Sequence, residues 1–537
     1  EVVGPLNQIG DQQGVRLENG VVRMPDGFMD CYRKYVDAGW ASVNGSPKYG
    51  GQGLPWTVGI ALNEIWQSAN MSLANAWMLT QAAVEAIQVH GTAPQKDTYL
   101  PKLISGEWSG TMNLTEPNAG SDVGALTTKA VQENGEWKIT GTKIFITHGD
   151  QDMSENVVHL VLARTPDAPP GTRGISLFIV PKFLVSRDGM LGTRNDLRVV
   201  SLEHKLGHKA SPTAVMSYGD NGGATAYLLG QENEGMACMF TMMNNARLNV
   251  AVQGLAIAER SYQRALHWAK ERIQGTDIAD PSGEKVTIIR HPDVRRMLMD
   301  MKSQIEAMRA LCYSVAEALD IASHHPDETV KEEHRGYLEV MTPIAKAWST
   351  DQGFEVSSTG IQVHGGMGYI EESGAAQYLR DARITMIYEG TNGIQALDLV
   401  KRKLIRETAA INRIFLGMND TVDALKRSED AALKAIGDEL GLAVPTLEQA
   451  TIWMQNTIPS DPVAAASGAT PYCRMFGFIA AGWLLARSAL RAKEIGHPTK
   501  VDTARFFAEQ HLAPAAALLR PVTNSVNSTM AIAEEQF

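Results

Sequence analysis

The stretch Asn134-Gly135-Glu136-Trp137-Lys138-Ile139-Thr140-Gly141-Thr142-Lys143-Ile144-Phe145-Ile146-Thr147 decides how the chain is read. Asn-Gly is a turn dipeptide, because both residues tolerate positive φ. The run after it is rich in β-branched and aromatic residues, which suit a pleated, half-buried surface. Further runs of this kind are Val157–Ala163, Ile175–Val180 and Thr213–Tyr218, with the turn Pro169-Pro170-Gly171 among them. Short strands separated by turns predict an antiparallel β domain over residues 111–230.

Both flanks of this domain have helical texture. On the N-terminal side, Asn63–His90 is rich in Ala, Leu, Met and Gln and free of Pro and Gly, after a glycine- and proline-bearing loop at Tyr49–Pro55. On the C-terminal side, Leu248, Val252, Leu255 and Tyr262 fall on one helix stripe. Pro292 is a start signal for a second helical run, Val294–Ala322. The methionine-rich segment Met236–Met243 reads as helix core. The last region is rich in Ala and Leu, with a loop expected at Asn456–Pro471. The expected domains are therefore 1–110 (helical), 111–230 (β), 231–415 (helical) and 416–537 (helical). This order is not an alternating βαβ chain. No GxGxxG follows a strand and no GxxxxGK[ST] occurs, which argues against a Rossmann fold or a P-loop.

Bulk properties narrow the classes. A chain of 537 residues suggests about three to four domains. The net charge is −11, with no basic run beyond Lys401–Leu404, so nucleic acid is not an expected partner. No apolar run reaches the ~18 residues of a membrane span. Cys31, Cys238, Cys312 and Cys473 form no CxxC pair, and His204, His208, His364 and the His324-His325 pair have no metal-ligand spacing. Reduced cysteines and a cytoplasmic location are expected. The chain begins at Glu1 without Met, so a missing native N-terminus is expected and a lost targeting peptide stays open.

Four segments carry residues suited to chemistry. In Ile387-Tyr388-Glu389-Gly390-Thr391-Asn392-Gly393-Ile394-Gln395 a carboxylate sits between an aromatic residue and a glycine, before a helix that Thr391 or Asn392 can cap. Such a loop can aim a side chain into a cavity, although the same residues also suit an ordinary helix–helix turn. Leu114-Thr115-Glu116-Pro117-Asn118-Ala119-Gly120-Ser121-Asp122 is a polar turn whose N–H groups and hydroxyls can hold a ligand, or an ordinary loop. In Lys143–Thr147 a regular strand would put Phe145 and Thr147 on one face, a ring beside a hydroxyl, suited to a planar heterocycle or simply half exposed. Gln362-Val363-His364-Gly365-Gly366-Met367-Gly368 reads as a close-approach site or as a helix C-cap.

Together these segments, in this order, resemble the acyl-CoA dehydrogenase family. The resemblance implies an α+β, mostly α fold: an N-terminal helical domain, a central antiparallel β-barrel and a C-terminal four-helix bundle. Tyr49–Pro55, Gly106–Met112, Glu203–Gly207 and the region after about residue 415 are similar to the long subgroup of the family, which has an extra C-terminal helical region.

The resemblance also implies roles. Glu389 is the base that removes the α-proton of an acyl-CoA thioester, and the β-carbon passes a hydride to FAD. Leu114, Thr115, Phe145, Thr147, Thr391 and Asn392 match flavin contacts, with Phe145 where the family often has Trp. Arg272, Gln274, Gln362 and Gly366 match contacts to FAD across a subunit interface, which implies a homodimer or homotetramer. Ser121, Asn244, Arg247, Tyr388 and Gly390 match the substrate path. Glu271–Gly275 is one residue shorter than the common family pattern, and Gly393 replaces a common glutamine. A short-to-medium acyl-CoA such as 3-methylthiopropanoyl-CoA is the expected substrate, with an electron-transferring flavoprotein as acceptor. An oxidase that uses oxygen, or a longer-chain dehydrogenase, is the alternative. A glutamate at 389 argues against the aspartate-dependent nitroalkane oxidase branch, and the acidic charge argues against a DNA-associated relative.

Overall fold

The computed structural model describes residues 1–537 apart from Arg187 and the side chain of Asn244. The chain forms two compact units, Glu1–Asn249 and Val250–Phe537.

The first unit opens with α1 (Leu6–Gln13), the hairpin β1 (Arg16–Glu18) and β2 (Val21–Arg23), and α2 (Phe28–Asp37). Then come α3 (Trp56–Ala69), α4 (Met71–His90) and α5 (Ala93–Ser105). The continuous helix suggested by Asn63–His90 is thus broken. Asn70 adopts an extended conformation (φ −162°) and its side chain accepts from Leu73 N at 3.1 Å, capping α4. Fourteen of the twenty residues of α4 are buried, Met71–Thr80 without a break, as expected of a helix apolar all round. Thr92 and Gln95 form a capping box at the start of α5, and Gly106 ends it at φ +85°.

The sheet uses β3 (Trp108–Asn113), β4 (Lys129–Glu133), β5 (Glu136–Thr147), β6 (Asn156–Ala163) and β7 (Ser176–Pro181). A small hairpin follows, β8 (Phe183–Val185) with β9 (Leu191–Arg194). β10 (Leu197–Leu202), β11 (Thr213–Tyr218) and β12 (Ala224–Leu229) complete the sheet. The order is β10-β11-β5-β12-β7-β6-β3, with β4 on β5. The central element is therefore a half-barrel. One pairing departs from the antiparallel expectation, because β3 runs parallel to β6.

Burial on both faces explains why β6 and β7 read as near-continuous apolar runs, interrupted by His159 in β6. Leu160, Leu162, Leu177 and Ile179 pack with Leu79, Ala83 and Leu103 of the helices. The alternating partners Val161, Phe178 and Val180 pack with Ile139, Met216 and Tyr218 inside the half-barrel. The start of α6 (Gly235–Glu271) adds Cys238, Met239 and Met242 to the helix-side core, as its sequence suggested.

The second unit holds the rest of α6, the hairpin β13 (Ile273–Thr276) with β14 (Lys285–Thr287), α7 (Pro292–His324), α8 (Glu328–His364), α9 (Ala375–Ala382) and α10 (Asn392–Asp398). After α11 (Leu404–Arg406) come α12 (Thr408–Arg427), α13 (Ala431–Thr457), α14 (Pro462–Glu494) and α15 (Pro498–Phe507). The loop expected at Asn456–Pro471 shrinks to a short turn. Asp461 caps α14, Pro462 sits in its first turn, and Pro471 lies inside the helix. A mid-helix proline costs about 3 kcal/mol. Here the surrounding burial of Tyr472, Cys473 and Phe476 offsets it.

α14 is long and apolar enough to cross a membrane by composition, contrary to the sequence reading. Yet 78% of its most apolar window is buried, against α7, α8, α10, α13 and α15. Gly477 lets the α14 backbone approach α8, where a Cβ would meet Trp348 at 2.4 Å. The extra C-terminal region therefore packs directly on α8, and on α10, the helix that follows the Glu389 segment.

Candidate active site

In the second unit, Glu389 lies between a short 3-10 turn, Arg383–Met386, and α10. Its backbone is left-handed, with φ +56°, and Gly390 continues at φ +85°. A non-glycine residue in this region is strained and persists only where its surroundings enforce it. Thr391 Oγ1 accepts from Ile394 N at 3.2 Å and caps α10, as its position suggested. Tyr388 donates its hydroxyl proton to Gln253 Oε1 on α6. Burial, then the nearby negative charge of Glu389, pushes the Tyr388 phenol well above its ordinary pKa.

The surroundings of this loop include a lysine without a signature in the sequence. Lys346 on α8 is fully buried, and its Nζ donates to Gly390 O at 2.8 Å and to Asn392 Oδ1 at 2.9 Å. Asn392 Nδ2 donates to Ala347 O, Thr350 Oγ1 and Asp351 Oδ1 at 2.7–3.1 Å. The Asn392 carboxamide is thus engaged with α8 at both ends, which leaves only its backbone for the cofactor contact expected of it. Gln395 Nε2 reaches Glu389 O at 3.4 Å and Gly390 O at 3.3 Å.

At the end of α8, His364 Nδ1 donates to Gly360 O at 2.7 Å and its ring stacks on Trp268 at 5.4 Å. This is a structural histidine. Gly365 turns the chain at φ +63°, and nothing lies within 4 Å of a Cβ built at Gly365 or Gly366. Gln362, Arg272 and Gln274 are exposed. So are large apolar side chains near them in sequence: Met367, Ile370, Ile273 and Tyr369, the last 85% exposed.

In the first unit, the Leu114–Asp122 turn is organised by a second buried lysine. Lys143 Nζ donates to Glu116 Oε1 at 2.8 Å and to Leu114 O at 3.0 Å. Glu116 also accepts from Thr127 N at 2.6 Å, Thr127 Oγ1 at 2.8 Å and Thr128 N at 3.1 Å. Burial alone would raise the Glu116 carboxyl. The Lys143 charge and these hydrogen bonds outweigh it and hold the pKa down to about 2.

The strand bearing Lys143 is not regular, contrary to the simple alternation. Phe145 sits at φ +59°, and the β5–β11 register shifts there. This bulge separates buried Lys143 from Phe145, whose ring is 58% exposed. Thr147 is half-buried, Thr115 O accepts from Ile144 N at 2.9 Å, and Ser121 is exposed. Arg247 is buried with its guanidinium 5.9 Å from the Phe240 ring centre. The side chain of Asn244 lies outside the described residues.

Comparison with known proteins matches this arrangement along the whole chain. Families described as the acyl-CoA dehydrogenase N-terminal, middle and C-terminal domains match residues 18–107, 111–220 and 233–404. One described as "Acetyl-CoA dehydrogenase C-terminal like" matches residues 405–533. The chain is 46% identical to 3-methylmercaptopropionyl-CoA dehydrogenase of Ruegeria pomeroyi, over 99% of this chain and 91% of that one. It is 36% identical to a broad-specificity linear acyl-CoA dehydrogenase of Mycobacterium tuberculosis, over 96% and 88%. The fold matches an acyl-CoA dehydrogenase of Bacillus anthracis solved with FAD (TM-score 0.76, 19% identity, 95% and 84% coverage).

The chain belongs to the acyl-CoA dehydrogenase family. It is an FAD-dependent oxidoreductase acting on acyl-CoA thioesters. The residues present fit that cofactor: an exposed ring at Phe145 next to the Leu114–Asp122 turn, and an uncovered diglycine backbone at Gly365-Gly366.

Proposed function

We propose that Glu389 is the base that takes the α-proton of the acyl thioester, and that its own backbone N–H polarises the thioester carbonyl. Bound FAD would supply the acceptor for the β-hydrogen, which leaves as hydride. The α-proton goes to the carboxylate and the Cα–Cβ bond becomes a double bond. The observation that carries this reading is the left-handed Glu389, held by buried donors to its loop. The proposed flavin contacts are Leu114, Thr115, Phe145 and Thr147 on the first unit and, on the second, the backbone at Thr391 and Asn392. Ser121, Asn244, Arg247, Tyr388 and Gly390 serve the substrate. The test is anaerobic bleaching of the flavin by acyl-CoA, compared between the native enzyme and Glu389→Gln.

The substrate is a short-to-medium acyl-CoA, with 3-methylthiopropanoyl-CoA the leading candidate. The close relative of that name supports this reading. Its thioether chain is nearly apolar and about as long as a pentanoyl group, so butanoyl-CoA should also react. One methylene is worth only ~1–3 kcal/mol in an apolar pocket. We expect kcat/KM values for 3-methylthiopropanoyl-CoA and butanoyl-CoA within about 200-fold of each other, the span those energies allow. Palmitoyl-CoA should be the poorest substrate in the same series. A tenfold preference for palmitoyl-CoA would replace this substrate by a long-chain one. Electrons pass to an electron-transferring flavoprotein, and peroxide released at the rate of turnover would instead make the enzyme an oxidase. A cytoplasmic location fits four buried, unlinked cysteines.

The enzyme acts as a homodimer or homotetramer, with Arg272, Gln274, Gln362 and Gly366 reaching the FAD of a neighbouring subunit. The exposed apolar residues Ile273, Met367, Tyr369 and Ile370 support a covered surface there. Cofactor binding and assembly are then linked. Removal of FAD should shift the mass measured by light scattering toward the monomer. A monomer that retains one FAD per chain would overturn this.

A further inference from the structure

The loop that carries Glu389 is tied to α8 by Lys346, and this contact asks for a reason. We propose that Lys346 is a positioning residue of the dehydrogenation: its ammonium group holds the left-handed Glu389-Gly390 turn and so sets where the Glu389 carboxylate stands. The proposal rests on Glu389 being the base.

Lys346 is 0% exposed. Burying a lysine is costly, and an apolar side chain of similar volume commonly serves stability as well or better. What an apolar side chain cannot do is donate to Gly390 O at 2.8 Å and to Asn392 Oδ1 at 2.9 Å. These two bonds span the loop from the residue after Glu389 to the first residue of α10. Asn392 is itself anchored through Ala347 O, Thr350 Oγ1 and Asp351 Oδ1, and Thr350 Oγ1 donates back to Lys346 O at 2.7 Å. Lys346 and Asn392 thus brace each other and tie the start of α10 to α8.

Gln395 completes the hold, because its amide reaches the carbonyls of both Glu389 and Gly390. Glu389 at φ +56° and Gly390 at φ +85° are two left-handed residues in succession. Glycine accepts this conformation freely, but glutamate does not. With the donors gone, Glu389 can relax to an ordinary right-handed or extended backbone, and its side chain swings with it. A base displaced by ~1 Å can lose about 10²-fold in rate without leaving its pocket.

The deciding measurement uses the holoenzyme. In Lys346→Met the limiting rate of anaerobic flavin bleaching by butanoyl-CoA should fall about 10²-fold. FAD content should stay near one per chain and KM should stay within about threefold of native, because the effect lies on the chemical step. A lysine that merely supports packing would lower the melting temperature and leave the limiting rate of the folded holoenzyme unchanged. That result overturns the proposal. If Lys346→Met does not accumulate with FAD, Gln395→Leu decides, since it removes the other side-chain donor to Gly390 O. It should slow bleaching about tenfold at similar KM, and an unchanged rate overturns the proposal. Glu389→Gln run alongside separates the two readings. If it bleaches normally, the base assignment itself falls. If it is inert while Lys346→Met is normal, only the positioning role falls.

Discussion

Glu389→Gln is expected to give a folded, yellow protein whose flavin acyl-CoA no longer bleaches. A positioned general base contributes typically about 10²–10⁴-fold, and the loss should reach at least the upper end because no proton can be removed without it. Glutamine matches glutamate in shape. The variant therefore keeps the contacts made by its neighbours: Tyr388 to Gln253, Lys346 to Gly390 and the Thr391 cap. FAD content and melting temperature should be close to native, which confines the change to chemistry. Glu389→Asp, one methylene shorter, should fall between the two. Bleaching of Glu389→Gln at the native rate would remove Glu389 from the mechanism.

The second large effect is expected at the buried Lys143–Glu116 pair. In Lys143→Met the Glu116 carboxylate stays buried, still held by Thr127 and Thr128 but without its countercharge. Removing one partner of a buried pair typically costs about 3–5 kcal/mol. Urea unfolding of the variant should show a loss of that order, and the Leu114–Asp122 turn, released at Leu114 O, should hold FAD less tightly. A stability within about 1 kcal/mol of native would mean the pair is expendable.

The same carboxyl predicts an acid limit. Glu116 has its pKa held at about 2, below the ordinary value of 4.5. A depressed carboxyl contributes stability in full above its unfolded pKa and loses it as pH falls toward the folded value. Native stability should therefore drop between pH 4.5 and about 2, and Glu116→Gln should flatten this part of the profile.

Much of this architecture is local in origin and so legible in residue order. The runs Trp137–Thr147, Val157–Ala163 and Thr213–Tyr218 lie within strands, Ile175–Val180 does so from Ser176 on, and Pro292 begins α7. Thr391 caps α10 because an N-cap needs only a hydroxyl three residues before a free N–H. Gly365 ends α8 because glycine takes φ +63° without a Cβ clash. The motifs around Glu389, Leu114 and Phe145 placed the chain in its family for the same reason: each is a short contiguous segment.

Other features depend on partners distant in sequence. Trp108–Asn113 is buried on both faces and lacks alternation, so its strand, parallel to β6, becomes visible only once β6 is in place. Pro471 breaks no helix, because packing around α14 outweighs its local cost. Phe145 leaves the regular strand because the β5–β11 register takes up one extra residue there. Lys143 reaches Glu116 across 27 residues, and Lys346 reaches Gly390 across 44. In sequence both lysines look like solvated charges, since only a closed core shows which ammonium groups it has enclosed. Local propensity and short motifs thus determined the element types and the family, and they carry the proposal that Glu389 is the base. Tertiary structure decided the strand order, the strained backbone at Glu389 and Phe145, and the buried charges near them, because each of these is set by contacts made only after the chain has folded back on itself.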